Sequence, residues 1–337
     1  MAYKKAHDKY RALWKRDNGP MVNSWDIDYS YYSPVDYGAD KNKKYPLCIF
    51  LVGALEGAVE GLEIQANEIP LWCDEKYQSR FHNNASYIMI PRAPEEDGIY
   101  WDQSCLVDSL KAAVDDFCLK HENVDTSRIH LFGWCVGSLG AMNIASAYPE
   151  MFATTVLMCP DRVITGSEAE RLKEMPVWVI TALTDTVSFY HINTLPTWLM
   201  LKKHTSHKEH LRLTNFTRAV DVYLAGDIAA MRNHNVWDCV SEDMHFIGPP
   251  YDREKIITGE YRNMKTVDGY GNLIIDPYMI SWLGQFTNEN RKPATFPALN
   301  STPAEKAYIK FNENFIHEAH QITFKVLGVI YRKLGWL

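Results

Sequence analysis

The sequence predicts an α/β protein, a mostly parallel central sheet with helices on both faces and one extra helix at the C-terminal end. Three observations predict it. Short continuous apolar runs read as strands buried on both sides, segments of helical period separate them, and Gly, Pro and Asn follow the runs where a strand would open into a loop.

In chain order, Lys4 to Lys15 is a short charged helix candidate within an N-terminal segment, 1–24, and Trp25 to Tyr32 alternates aromatic and polar residues before Ser33-Pro34, as a strand closed by a turn does. Pro46 to Val52 is a continuous apolar run that ends at Gly53-Ala54-Leu55-Glu56-Gly57, the form of a central strand opening into a functional loop. Tyr87 to Ile90 repeats that form before Pro91-Arg92. Leu106, Leu110, Val114 and Phe117 recur at helical spacing between Ser104 and His121, and Asn123 to Arg128 reads as a polar link to a strand at Ile129 to Phe132. A helix over Leu139 to Ala147 stops near Pro149, and strands follow at Thr154 to Met158 and Pro176 to Thr181. The main domain, 1–286, closes at Met279 to Phe286. A Pro-, Asn- and Thr-rich linker, 287–302, leads to an amphipathic helix, 303–337, in which Tyr308, Phe311, Phe315, Ile322, Val326 and Val329 make one apolar stripe. The stripe is expected to pack back on its own domain; the alternative is a partner helix in a homodimer.

Composition narrows the function classes. The 337 residues are 46% hydrophobic and carry a formal charge of −7, and the clustered Lys and Arg that phosphate binding needs are missing, so nucleic acid is not the expected partner. Met1 to Pro20 has no apolar h-region and no long apolar run occurs anywhere, which implies a soluble, cytoplasmic protein with no membrane partner. The seven cysteines are scattered without a CxxC pair, as free thiols in a reducing compartment would be. His204, His207 and His210 stand among Lys202, Lys203 and Lys208 with no carboxylate or cysteine at ligand spacing, so they read as a solvated basic face. No metal and no cofactor is implied.

One motif stands out. Gly133, Cys135 and Gly137 form a GxCxG pentapeptide between an apolar strand and a helix, the pattern of a nucleophile elbow carrying sulfur instead of oxygen. The sharp turn needs small flanking residues. The helix N-terminus supplies N–H groups and positive potential, and a thiol there is expected to ionise more easily than a free one. Acyl chemistry at such an elbow needs an acid, a base and oxyanion donors, in the chain order nucleophile, acid, base. Asp185, after the apolar strand Val177 to Thr181, fits the acid. His234 and His245 both follow it, and spacing alone does not separate them as the base. Val136 and either Ala54 or Leu55 are the expected backbone oxyanion donors.

From about Tyr29 to Phe286 the chain resembles α/β-hydrolase esterases of the polyhydroxybutyrate-depolymerase and prolyl-oligopeptidase-like group, including bacterial carbohydrate esterases. The resemblance runs through Tyr45 to Gly53, Ile90-Pro-Arg-Ala93, Asn123 to Ile129, the elbow, Ala147-Tyr-Pro-Glu-Met-Phe152, Met175-Pro-Val-Trp-Val179 and Met279 to Phe286. It implies the α/β-hydrolase fold and an esterase activity. In these esterases the base histidine commonly precedes a tryptophan by three residues, which favours His234, three before Trp237. Two departures stand out: the family usually has serine where this chain has Cys135, and His-Gly where it has Val52-Gly53. Dienelactone hydrolases and polyester synthases resemble the chain in using GxCxG on the same fold.

The reading is therefore a hydrolase that opens an ester or other activated acyl bond through Cys135, His234 and Asp185 and a thioester acyl-enzyme. The same residues would serve an acyltransferase or amide-forming enzyme with a second acceptor substrate. A non-catalytic scaffold of the same fold is the third reading. The small-molecule acyl substrate is expected to meet a rim of rings, Tyr100, Trp101, Trp134, Tyr190 and Trp237, with Glu56, Arg92 and the loop Glu95 to Gly98 available to a polar end.

Overall fold

The computed structural model describes residues 10, 12–54, 56, 61–65, 69–216, 234, 236–237, 240, 264–275, 277–289, 291, 296 and 298–314. Among these, ten strands form one sheet: β1 (Lys15–Asn18), β2 (Asp28–Tyr32), β3 (Tyr45–Leu51), β4 (Tyr87–Pro91), β5 (Val124–Trp134), β6 (Thr154–Met158), β7 (Val177–Ala182), β8 (Arg212–Phe216), β9 (Met264–Asp268) and β10 (Leu273–Ile274). Their spatial order is β1-β2-β4-β3-β5-β6-β7-β8-β9-β10. The central six, β4 through β8, run parallel, and the pairs at both edges are antiparallel. The expected α/β class and mostly parallel sheet are what the chain builds.

The apolar runs become strands because both faces are covered. Every residue of β3, β4, β6 and β7 is buried, which removes the in–out alternation of a half-exposed strand. Phe50 of β3 stacks on Phe132 of β5 with ring centroids 4.4 Å apart, and Trp72 and Trp237 meet Phe50 edge-on. The helix α1 (Val107–Lys120) buries Leu110, Ala113, Val114 and Phe117, and Phe117 packs edge-on against Tyr29, Tyr31 and Tyr87 of the sheet. The helix α2 (Val136–Ala147) is nearly all buried. At Gly140 there is no room for a side chain, because a Cβ there would lie 2.9 Å from that of Trp101. Further along come α3 (Gly166–Arg171), α4 (Leu195–His204), the short α5 (Met279–Leu283) and the helix α6 over 303–314.

Three departures from the sequence reading have physical causes. Of the N-terminal segment 1–24 expected to be helical, residues 1–9 and 11, most of the helix expected over Lys4 to Lys15, lie outside the described residues, and Leu13 to Ser24 is not helical: Lys15–Asn18 is an edge strand paired with β2, its Lys15 and Arg16 bridging to Asp36 and Asp28. Asn123 to Arg128 is no loop, because β5 begins at Val124, where its partner on β3 is Tyr45; a register shift between Tyr45 and Leu47 absorbs the polar residues. The strands β8 to β10 are too short and polar to show as apolar runs; Thr214 and Thr266 share a hydrogen bond of 2.7 Å across β8 and β9.

The linker is strapped to the domain. Asn288 bonds backbone groups of Thr126, Ser127 and Met151, and the Arg291 guanidinium donates to the carbonyls of Phe152 and Ala153. The described turns of α6 dock by polar groups, not by the expected stripe. Glu305 accepts from the Ser167 N–H, the Tyr308 hydroxyl from the Val163 N–H, and Glu313 from the Ser104 N–H. Tyr308 and Phe311 are 37% and 64% exposed. The remaining stripe positions, from Phe315 on, lie outside the described residues. No helix among the described residues is long and apolar enough to cross a membrane.

Candidate active site

The tip of β5 carries the site. Cys135 follows Trp134 directly and opens α2, with φ 55° and ψ −124°, a conformation that costs an L-residue strain. The two motif glycines allow it. A Cβ on Gly133 would lie 2.3 Å from the Gly137 carbonyl oxygen, and one on Gly137 would lie 2.1 Å from the Leu51 carbonyl oxygen of β3. The turn is fastened by Ser138, whose hydroxyl meets the carbonyls of Gly133 and Met158 at 2.7 and 2.6 Å, and by the Cys135 N–H donating to Met158 at 2.9 Å.

His234 and Asp185 come to the same place. The His234 Nδ1 is 2.8 Å from Asp185 Oδ2, and both side chains are buried. Asp185 stands on the loop after β7, where its Oδ1 also accepts the N–H groups of Val187 and Ser188 at 2.8 and 3.0 Å. The His234 carbonyl accepts the indole N–H of Trp134 at 3.0 Å and the thiol of Cys159 at 3.3 Å, so the neighbouring strand ends hold the histidine from behind. The Nε2 atom is buried with no hydrogen-bond partner among the described residues. A ring nitrogen of His234 lies within 4.8 Å of the Cys135 sulfur. His245 and Leu55 lie outside the described residues.

The sequence reading missed Asp161. This residue, on the loop after β6, accepts a hydrogen bond from the Cys135 thiol, with 3.2 Å from sulfur to Oδ2. Its other oxygen takes the Ser188 hydroxyl. No motif marks it, since Cys159-Pro160-Asp161 carries no pattern; only its place at the end of the strand beside β5 could have drawn attention to it.

Burial, with Asp161 adding to it, runs against the expectation of a readily ionised sulfur. Burial and then the adjacent Asp161 carboxylate push the Cys135 thiol well above its ordinary range; backbone hydrogen bonds from Val136 and Ala54 act in the opposite sense without prevailing. Those two backbone groups are the expected oxyanion donors, both directed at the sulfur. Burial raises the Asp161 carboxyl as well, against the attraction of His234. For His234, burial disfavours the charged ring, but the bond to Asp185 and the charges of Asp185, Asp161 and Glu56 outweigh it and the pKa rises. Glu56 is buried and accepts the Gly53 N–H at 3.0 Å, the position after β3 where the loop turns.

The expected rim of rings is mostly core. Tyr100, Trp101 and Trp237 are buried at 2% exposure or less, and Trp134 is buried with its N–H committed to the His234 carbonyl, so none of these four presents an open face. Trp237 packs against Phe50 and Trp134. Tyr190 remains half-buried, its hydroxyl 3.4 Å from the Asn215 amide. The exposed apolar groups beside the site are others, Leu183, Val187, Phe189 and Ile192, on the loop that carries Asp185. Arg92 and Glu95 are buried too. The histidine cluster also differs from expectation, because folding brings carboxylates to it: His204 meets Glu170 and His207 meets Glu174, each at 2.9 Å.

Strand order and site together define an α/β-hydrolase fold, with Cys135 after β5, Asp185 after β7 and His234 beyond β8. No protein-family model and no curated relative matches the sequence. Solved structures do. A thermostable esterase is similar at a TM-score of 0.56 and 21% identity, over 75% of this chain and 64% of that one. The acylaminoacyl peptidase of Pyrococcus horikoshii aligns at a TM-score of 0.46 and 12% identity over 72% of this chain and 44% of its own, and oligopeptidase B of Leishmania major at 0.48 and 13% over 70% and 36%. The chain thus spans under two thirds of the length of each of these proteins.

Proposed function

We propose that the protein is a hydrolase of ester or other activated acyl bonds with Cys135 as nucleophile, His234 as general acid and base, and Asp185 orienting His234. The observation that carries this reading is the strained Cys135 at the start of α2, with an Asp185-bonded imidazole within 4.8 Å of its sulfur.

In the proposed reaction the thiol proton passes to the neutral His234 ring as the sulfur attacks the acyl carbonyl. The carbonyl oxygen becomes an oxyanion held by the N–H groups of Val136 and Ala54. Collapse expels the alcohol or amine, which takes the proton from His234 and leaves a thioester on Cys135. Water then attacks the thioester, giving its proton to His234; the acid leaves and the thiol regains its proton. Asp161, bonded to the resting thiol, keeps the sulfur protonated until an acyl group is bound. Leu183, Val187 and Phe189 offer the acyl group an apolar surface.

A panel of nitrophenyl esters of increasing acyl length tests the reading, with intact-protein mass spectrometry to catch the acyl-enzyme. The expected result is turnover with an acyl adduct on Cys135, no turnover by Cys135→Ala, and a loss of about 10²- to 10⁴-fold for Asp185→Asn. Activity should also fall on the acid side as His234 gains a proton, with a midpoint above the ordinary histidine value. An adduct that decays faster with added amine would assign acyl transfer in place of hydrolysis. Turnover by Cys135→Ala would refute the cysteine mechanism, and the lack of any adduct on folded wild type would favour the scaffold reading.

A further inference from the structure

We infer that the Cys135, Asp161 and His234 side chains form a binding site for a zinc ion, which would occupy the sulfur and close it to other chemistry. One ligand atom from each residue lies within 4.8 Å of the other two. The sulfur and the Asp161 oxygen are already 3.2 Å apart. A tetrahedral zinc with ordinary bond lengths needs its sulfur, nitrogen and oxygen donors roughly 3.4–3.6 Å from one another. Drawing the imidazole in by at most about 1.4 Å therefore completes three corners, and a solvent molecule fills the fourth.

Two further features favour an ion here. The donor set, one thiolate, one imidazole and one carboxylate, is the mixture that zinc selects, whereas magnesium and calcium prefer oxygen alone. His234 is also prepared as a ligand. Its Nδ1 is fixed by Asp185 at 2.8 Å, leaving the buried Nε2, which has no partner among the described residues, as the available donor, and a carboxylate–histidine pair of this kind fixes the tautomer and orients the ring toward a metal. The other buried grouping, Cys159, Asp185 and His234, would require breaking that same Asp185 bond and the thiol's bond to the His234 carbonyl, so it is the poorer site.

Binding is a ligand exchange without change of oxidation state. A zinc–sulfur bond forms, the Cys135 S–H bond breaks, its proton leaves to solvent, and the ion gives up water ligands to the sulfur, the Asp161 oxygen and Nε2. The sulfur is then no longer a free nucleophile. The inference rests on the donor geometry and not on the proposed hydrolase activity, so it can be tested without a substrate.

The test is chelator-buffered zinc chloride titrated into the full chain, read by competition with a fluorescent zinc indicator, alongside mass-spectrometric quantification of iodoacetamide labelling at each cysteine. Expected are one tight equivalent of zinc and protection of Cys135 from alkylation, reversed by chelator. Cys135→Ser, a one-atom change, should weaken binding by at least 100-fold, and Asp161→Asn by at least 10-fold. A second ion at the surface group His207, Glu209 and His210 is removed from consideration by His207→Ala/His210→Ala, which should leave the tight equivalent intact. The inference is overturned if no tight equivalent appears, if it is lost only in the His207/His210 variant, or if Cys135→Ser and Asp161→Asn bind as wild type does.

Discussion

At the scale of single residues, the contest over the Cys135 proton decides the character of the site. The helix N-terminus and two backbone donors favour a thiolate, and burial with a carboxylate 3.2 Å away favours the thiol. Burial weighs most, and the carboxylate adds to it twice, by repelling the charged form and by accepting a hydrogen bond from the neutral one. Asp161→Asn removes both effects. It also removes one of the charges that raise the His234 pKa, which weakens support for a thiolate, but that interaction is indirect while the bond to sulfur is not. The expected outcome is a lower pH midpoint for alkylation of Cys135 and faster labelling at pH 7, measured by mass spectrometry over a pH series. An unchanged or raised midpoint would mean that burial alone holds the proton. The chemistry of this pair was not legible in the sequence, because Asp161 lies on a different strand end and neither residue predicts the other's place. The elbow was legible, since its glycines are local requirements. Chain order marked Asp185 but left His234 and His245 open as the base, and only the resemblance favoured His234.

At the scale of elements, the site depends on how tightly α2 approaches the sheet. Gly137 sits where its missing side chain lets the helix start against the Leu51 carbonyl, and a methyl group 2.1 Å from that oxygen has no flexible neighbour to displace. Gly137→Ala should therefore destabilise the fold by at least the roughly 1–3 kcal/mol typical of overpacking, and by more where the backbone cannot move, or fail to yield soluble protein. Denaturant unfolding measures it, and a loss under 1 kcal/mol would show that α2 can shift. The loop carrying Asp161 has its own anchor. Arg162 makes a two-pronged pair with Glu168 at 2.9 and 2.6 Å, both side chains buried, and Glu168 completes a capping box with Thr165 at the start of α3. Glu168→Gln keeps the shape and leaves the guanidinium without its counter-charge, a change expected to cost about 3–5 kcal/mol. Because Arg162 follows Asp161 directly, the same variant should move the Cys135 alkylation midpoint, whereas a purely structural pair would alter stability alone. The sequence showed the buried strands well, since burial on both faces demands apolar runs. It concealed β8 to β10 and this anchor, which are polar and satisfied only by partners distant along the chain.

At the scale of the whole molecule, the C-terminal segment is part of the domain's charge balance. The linker is strapped across β5 and β6, and α6 brings Glu313 to the loop before α1, where Ser104 donates its N–H to the carboxylate at 3.2 Å. Asp102 lies beside this contact, buried, with one oxygen unpartnered among the described residues. Burial foremost, with the Glu313 charge adding to it, pushes the Asp102 carboxyl up to about 7. The folded state thus holds a proton there that the unfolded chain gives up near pH 4. By linkage, the stability this group contributes is full below about pH 4 and falls as pH rises toward 7, beyond which the carboxylate is charged in both states and the loss levels off. Wild type should therefore lose melting temperature between pH 5 and 8 in excess of what its other groups explain. Asp102→Asn, neutral at every pH, should flatten that slope, and Glu313→Gln should flatten it in part by withdrawing the second charge. Melting curves at closely spaced pH values decide between these outcomes: equal slopes in all three proteins would mean that Asp102 gains water or a counter-ion when it ionises, and that α6 docks through the Tyr308 bond to Val163 and the Glu305 bond to Ser167 without regard to the charge beneath it.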